Sequence, residues 1–488
     1  MAQPRRPRVP DPHRGRRLPR GLRRRVRSLA LHLVRVQGGG HQVPRRRRGR
    51  VHRAVERHQR GSAPGQAHVG GRRRHRRLRH CSGTTIYTLC ACFARLLLHT
   101  VHRVVINSID LTRIFYDGNV QYYKFEFVVM CTGKYGDVPR MPVFPPGKGP
   151  EVFKGTVMHS LDYCKLSEEE TVELMRGKKV VVVGYKKSAI DLANECAQAN
   201  QGEDGQACTM LVRTLHWMVP SYSIWGLPFF LFYSTRFSQF FYERPNQGFF
   251  RSLLCRLTSP LRAGVSKFIE SYLSWKLPLA KYGLTPDHRF VEDYASCQLA
   301  FLPEGFFDMA DRGLLRFKRA PDGWWLSENG VVLKDGTEVE ADLVFLATGF
   351  EGTDKLREVL PKPFRGVLVN KSSMIPLYHG TIHPLIPNMA FVGFVESASN
   401  LRTSELRCRW LAGLLEGRFE LPTVKAMMGH VASEADVMRR TTRFYRRHCI
   451  STYSIHDKDG MSADLSSATL RKANWIAELL APNNKQDY

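Results

Sequence analysis

The chain has 488 residues and a formal net charge of +30, from 74 Lys and Arg against 44 Asp and Glu. Most of that excess is local: residues 1–80 hold 26 Arg and no Lys against only Asp11 and Glu56, so a uniformly basic protein is excluded. A hydrophobic content of 43% excludes wholesale disorder, and the length allows two or three domains at roughly 150 residues each.

The front of the chain is Arg, Pro, Gly, His and Val with few aromatics. Such a composition cannot bury enough surface to offset its ordering entropy, so residues 1–84 are expected to be disordered. Clusters such as Arg45–Arg48 and Arg72–Arg74 suit a phosphate backbone or a nuclear localisation signal. An acid-poor, Arg-rich leader also suits organelle targeting, although Ser28 and Ser62 are the only serines in residues 1–80. Composition favours a third reading: with Lys124 as the first lysine, the segment resembles GC-rich DNA translated in the wrong frame. The 11 cysteines include no C-x-x-C pair, which suggests reduced thiols and a cytoplasmic setting rather than a disulfide scaffold or a zinc ribbon. No apolar run reaches the ~18 residues of a spanning helix, so no membrane span is expected.

From Tyr122 onward the pattern becomes that of an α/β protein. Tyr122–Phe127 alternates like a strand, and the apolar run Val128–Cys131 stops at Thr132-Gly133. The arrangement recurs later: Val331–Val339 reads as a hairpin around Asp335-Gly336, and the buried-type strand Leu343–Ala347 stops at Thr348-Gly349. Between them Lys178–Val183 is a strand that runs into Gly184-Tyr185-Lys186-Lys187-Ser188-Ala189 and then a helical pattern through Ala197. Strand, tight turn and helix is the setting of a dinucleotide fingerprint, here G-x-K-x-x-A in place of G-x-G-x-x-G/A. Gly184 would make the turn, Ala189 would allow close helix–strand contact, and Ser188 would cap the helix whose amides favour phosphate. Lys186 stands where a glycine is usual. The next strand, Cys208–Val212, ends at Arg213, where an acid would hold a ribose; an arginine there instead suits a 2′-phosphate, favouring NADP over NAD, although a solvated Arg at a strand end fits equally. The aromatic-rich stretch Trp225–Phe241 reads as core rather than pocket lining.

Just upstream, Phe153 to Tyr163 spells F-x-G-x-x-x-H-x-x-x-Y, with His159 at its centre. This resembles the identifying motif of flavin-containing monooxygenases, and with "CTGKYGDVPRMP", "VVVVGYKKSAIDLANE", "VFLATGFEG" and "FVGFVESASNLRTSELRCRW" it resembles the plant branch of that family over roughly Phe125 to Ile455. The resemblance implies an α/β architecture of two dinucleotide-binding, Rossmann-like domains, in which an FAD domain is interrupted by an inserted NADPH domain. It implies residues 85–165 as remnant of the FAD domain and linker, 166–330 as the NADPH domain, and 331–488 as the rest of the FAD domain with C-terminal helices. It further implies NADPH, FAD, dioxygen and a small-molecule substrate with a soft nitrogen or sulfur, and no side-chain nucleophile or metal. The loop "GYKKSAIDLA" looks more like the N-hydroxylating, defence-related plant members than the S-oxygenating ones.

Carried over by motif, Gly184, Lys187, Ser188 and Ala189 would line the NADPH pyrophosphate and Arg213 its 2′-phosphate. Thr132, Gly133, Thr348 and Gly349 would lie at the domain crossings, His159 in the linker coupling the two cofactor domains, and Asn400 beside the flavin. The family's first strand–G-x-G-x-x-G–helix, which cradles the FAD phosphates, has no counterpart before Tyr122. The FAD domain is therefore expected to be incomplete and FAD binding poor, with an inactive member that keeps NADPH binding, or a nucleic-acid binder working through its Arg arm, as the alternatives. No nucleic-acid partner is expected, and the oligomeric state is left open.

Overall fold

The computed structural model describes residues 109–483, apart from 117–118, 136–137, 370–373 and 471, with side chains from residue 125 onward. The expected Arg-rich disordered segment and its alternatives thus lie outside the described residues. The strand foreseen at Tyr122–Phe127 runs Asn119–Phe125 and pairs antiparallel with Ile109–Tyr116.

The centre is a five-stranded sheet: β1 (Thr156–His159), β2 (Val180–Val183), β3 (Cys208–Val212), β4 (Leu315–Arg319) and β5 (Leu343–Leu346), in the spatial order β4-β3-β2-β5-β1. Every pairing is parallel, in the registers Val183↔Leu211, Leu346↔Val183 and Leu346↔His159 among others. Four consecutive valines in β2 are all buried, as expected of a strand covered on both faces. Period-two alternation sorts them. Val180 and Val182, with Met210, Val212, Leu343 and Phe345, face a layer that includes Ile190, Ala193 and Ala197 of helix α1 (Lys187–Ala199). Val181 and Val183, with Leu211, Val344 and Leu346, face the other way, onto Leu326, Val331 and Leu333. Those three belong to an antiparallel ribbon, Trp324–Leu326, Gly330–Leu333 and Glu338–Glu340, whose turn at Asp335-Gly336 is the expected hairpin, with Gly336 at φ +86°.

A second, smaller parallel pair joins Val128–Met130 to Met389–Phe391. It packs among helices α2 (Asn400–Leu415), α3 (Val424–Thr441) and α4 (Ser454–Asp464) through Trp410, Leu411, Val431 and Met461. The buried Arg407 of α2 donates to the carbonyls of His379 and Val395, and Gly380 at φ +60° leaves room for its guanidinium.

Two expectations are corrected. A disulfide, Cys297–Cys449, links residues 152 apart, so the thiols are not all reduced. The scattered spacing of the cysteines gave no sign of it because the pair is brought together only by tertiary packing. The stretch Trp225–Phe241 is not simply core: Phe229 and Tyr233 are buried, whereas Trp225, Phe230, Phe237 and Phe240 are exposed. It folds as short turns and helices of four and five residues, each with one side inward. No helix among the described residues is long and apolar enough to cross a membrane.

Candidate functional site

In a parallel sheet, ligands settle at the carboxyl edge where the strand order reverses, because successive crossovers there leave to opposite sides. That point lies between β2, whose helix α1 leads to β3, and β5 on its other flank. The chain leaves β2 through Gly184 at φ +147°, and a Cβ there would stand 2.8 Å from the Ala347 carbonyl and 3.0 Å from the Ala189 Cβ. The turn is therefore closed tightly against β5, and both Gly184 and the buried Ala189 are required by contact rather than by pattern alone.

Helix α1 begins here. Its N-cap is Lys186, in an extended conformation with no side-chain cap, so the expected capping by Ser188 is corrected. Ser188 sits inside the first turn and is exposed, because the G-x-K-x-x-A turn closes two residues earlier than a Ser cap requires. Lys187 is exposed too and pairs with Asp191 one turn on. No side chain of the turn satisfies the first helical amides, which leaves the positive end of the helix available to an anion. Arg213, two residues beyond the Leu211 carbonyl that accepts from Gly184 N at 3.1 Å, is exposed at the same edge with no ion pair among the described residues.

His159 ends β1 and caps the short helix Ser160–Tyr163: its Nδ1 accepts from Leu161 N at 3.1 Å, which leaves Nε2–H to donate to the Gly349 carbonyl at 3.1 Å. Burial keeps its imidazole below the ordinary pKa, with the Gly349 bond pulling weakly the other way. The other motif residues are structural: Phe153 is buried, Gly155 approaches the Asp342 carbonyl too closely for a Cβ, and Tyr163 bonds Glu195 of α1. Thr348 Oγ1 donates to the Arg140 carbonyl, and Arg140 N to Gly349 O at 2.9 Å. Thr132-Gly133 turns at φ +74° against Gly393, where Lys134 N bonds the Gly393 carbonyl at 3.1 Å. The backbone of Gly133-Lys134 lies against Gly352, and His159 bonds Gly349, so Thr132, Gly133, Thr348, Gly349 and His159 fall in neighbouring loops. Asn400 is exposed, and its side chain accepts from Ser397 N at 2.7 Å, closing the turn that opens α2.

Sequence reasoning missed a charged group behind these loops. Lys134 pairs with Glu396 at 2.8 Å, Tyr135 bonds the same carboxylate, and Arg447 donates to Tyr135 Oη at 2.6 Å. Lys186 reaches into the same region and bonds the Gln298 amide oxygen. The lysine after Thr132-Gly133 was a possible signal for Lys134, but nothing local marks Arg447, 313 residues away from Lys134. Nearby, Asp293 is buried between His216 at 2.8 Å and His288 at 2.9 Å, three groups close enough to hold a metal ion. Asp293 also accepts from Trp217 N at 2.6 Å, so its carboxylate is already engaged by protein donors.

A wound parallel sheet with an uncapped Gly-turn at its switch point is the α/β architecture in which nucleotides are commonly bound. The chain belongs to the flavin-binding monooxygenase-like family, whose model matches residues 114–469. It is 59% identical over 371 residues to a probable flavin-containing monooxygenase 1 of Arabidopsis thaliana, covering 76% of this chain and 70% of that one. It is 51% identical over 350 residues to a putative flavin-containing monooxygenase 2 of the same plant, covering 72% and 68%. Flavin-containing monooxygenase 5 of rabbit, Oryctolagus cuniculus, is 26% identical over 343 residues, and this chain spans 56% of its length. Among solved structures, S-allyl-L-cysteine S-oxygenase from Allium sativum matches with TM-score 0.38 and 19% identity, over 73% of this chain and 57% of that one. An open cyclohexanone monooxygenase matches with TM-score 0.47 and 15% identity, over 71% and 74%. The expected membership in the plant branch and the assignment as a monooxygenase stand on the family match and the two Arabidopsis relatives.

Proposed function

We propose that the protein is an NADPH- and FAD-dependent monooxygenase acting on a soft nitrogen or sulfur of a small molecule. The observation that supports this most directly is the uncapped turn Gly184–Ala189, fed by a buried parallel strand at the switch point. Gly184 and the amides of Lys187, Ser188 and Ala189 would hold the pyrophosphate of NADPH, and the exposed Arg213 its 2′-phosphate. Thr132-Gly133 and Thr348-Gly349 would let backbone approach the flavin side, and His159, fixed as an Nε2–H donor to Gly349, would hold those crossings in register rather than transfer a proton. Asn400, at the opening of α2, would lie beside the flavin.

Reduced flavin supplies the chemistry with dioxygen, and the protein binds, orients and excludes water. On this reading residues 166–330 carry the inserted NADPH domain, 85–165 the remnant of the FAD domain and the linker, and 331–488 the C-terminal part of the FAD domain with C-terminal helices. The strand–G-x-G-x-x-G–helix that would cradle the FAD phosphates is not among the described residues, so flavin retention is the sharpest test of the expected incompleteness of that domain.

The experiment is to purify the full chain, record its flavin absorbance, and follow NADPH consumption with and without added FAD. A yellow protein or FAD-stimulated NADPH oxidation supports the reading; a colourless protein with no NADPH oxidation at saturating FAD refutes it. Arg213→Ala should weaken NADPH about tenfold and leave NADH nearly unchanged, consistent with the loss of one charge-assisted contact. Equal losses for both would show that Arg213 does not read the phosphate.

A further inference from the structure

Lys186 stands where the dinucleotide fingerprint has a glycine, and its side chain does not turn outward. It runs inward to Gln298, whose neighbour Cys297 is bridged to Cys449 two residues beyond Arg447, so it points towards the seam where Lys134 and Arg447 approach Glu396. Lys186 Nζ bonds the Gln298 amide, which is neutral. Lys134 holds Glu396 at 2.8 Å and also donates to the Arg447 carbonyl. Arg447 reaches Glu396 only at 3.9 Å, and its buried Nε has no hydrogen-bond partner. Thr132 Oγ1, two residues before Lys134, is likewise buried without one. The next acid, Asp293, is already engaged by His216 and His288. Three cations, only partly buried, with a single carboxylate between them leave an excess of positive charge that an anion would offset.

We propose that Lys186, Lys134 and Arg447 form a phosphate-binding subsite at the seam between the Gly184 turn and the Thr132-Gly133 crossing, contacting a phosphate of the bound pyridine dinucleotide in addition to the helix amides. The inference rests on the dinucleotide reading above and adds residues that the glycine pattern does not contain. A lysine in place of the glycine forfeits close backbone approach and replaces it with a charge supplied from the loop itself. The cluster also spans elements far apart in sequence, so the ligand would tie the Gly184 turn to the segment around Glu396 and Arg447.

The groups facing Lys186 make the subsite pH-dependent. Burial, then the charges of Arg447 and Lys134, push its ammonium down to about 7, with Glu396 and Asp293 acting in the opposite sense. His216, whose own titration feels Lys186, remains below its ordinary value mainly by burial and adds no charge at neutral pH. Free protein at pH 8 therefore holds Lys186 mostly neutral, and a bound phosphate would recharge it. Binding should take up a proton at pH 8 and not at pH 5.5, and affinity should fall as the pH rises above about 7.

The test is isothermal titration of the full chain with NADP⁺, and separately with inorganic pyrophosphate, at pH 8 in buffers of different ionisation enthalpy. The expected result is uptake of up to one proton with wild type, an affinity roughly tenfold lower in Lys186→Met with no uptake, and recovery of affinity without uptake in Lys186→Arg. Arg447→Gln should also weaken binding, which keeps the test available if Lys186→Met does not fold. Uptake with pyrophosphate alone would show that the subsite takes free phosphate groups as well as the dinucleotide. NADP⁺ binding that is unchanged in Lys186→Met and Arg447→Gln overturns the subsite while leaving the dinucleotide reading intact. Failure of wild type to bind either ligand overturns both.

Discussion

At the scale of single residues, two positions show how a motif letter acquires a physical reason. Gly184 is required because a Cβ would meet the Ala347 carbonyl at 2.8 Å and because its φ of +147° is foreign to other residues. Gly184→Ala should destabilise the protein by about 1–3 kcal/mol in urea unfolding; an unchanged midpoint would show that β5 gives way instead. His159 was legible as a motif member, and the structure shows what it does locally: it bonds backbone on both ring nitrogens. Loss of both bonds in His159→Ala should cost about 1–3 kcal/mol. Because burial lowers its folded pKa, protonation of the unfolded chain below about 6.5 should erode wild-type stability, and His159→Gln should show less of that erosion. Identical pH profiles for wild type and His159→Gln would contradict the buried, neutral imidazole. Ser188 teaches the opposite lesson: a good capping residue was read as the cap, yet the cap position falls at Lys186, because the turn geometry and not the propensity of Ser decides where the helix begins.

At the scale of elements, the segment Thr442–Ser451 acts as a clasp. Thr442 and Arg443 bond Glu292, Phe444 packs edge-on or tilted against His216 and His288 at 5.0 Å, and Cys449 is joined to Cys297. On its other side, Glu396 exchanges backbone bonds with His448 and Ile450. The disulfide closes a loop of about 150 residues, so chain-entropy arguments give it about 2–5 kcal/mol. Reductant should lower the melting temperature of wild type and leave Cys449→Ser, already lowered, unaffected. A wild-type melt indifferent to reductant would mean that the bridge contributes nothing. The parallel strands were legible from their apolar runs, and the hairpin at Asp335-Gly336 from its turn residues. The clasp was not, because its partners, Glu396 apart, lie 150 residues or more away and its own sequence carries no periodic signal.

At the scale of the molecule, a buried ionic network fixes the C-terminal helices around the smaller parallel pair. Asp457 of α4 accepts from His379 at 2.8 Å and lies 3.9 Å from Arg407 of α2. Burial alone would raise the Asp457 pKa, but the His379 bond and the neighbouring positive charges reverse this and hold it at about 2. A carboxyl depressed in the folded state stabilises above its unfolded pKa near 4, and that contribution is lost as the pH falls from about 4 towards 2. Wild type should therefore lose urea resistance steeply over that window and Asp457→Asn, less stable at neutral pH, should lose less; parallel slopes would count against the network. His379 works in the other direction: its pKa is raised, so its share is present below about 6.5 and fades as the pH climbs through the folded value.

By itself the sequence determined the local units: which runs are buried strands, where Gly184 and Gly336 turn the chain, and which ordered motifs mark the family. These follow from short-range sterics and the period of apolar residues, which need only a few neighbours to be expressed. Only the tertiary structure decided strand order, the Cys297–Cys449 bridge, the His159–Gly349 contact, the approach of Lys134 and Arg447 to Glu396 and the bond of Lys186 to Gln298. Those depend on which surfaces are buried together, a property of packing between residues hundreds of positions apart that no local pattern encodes.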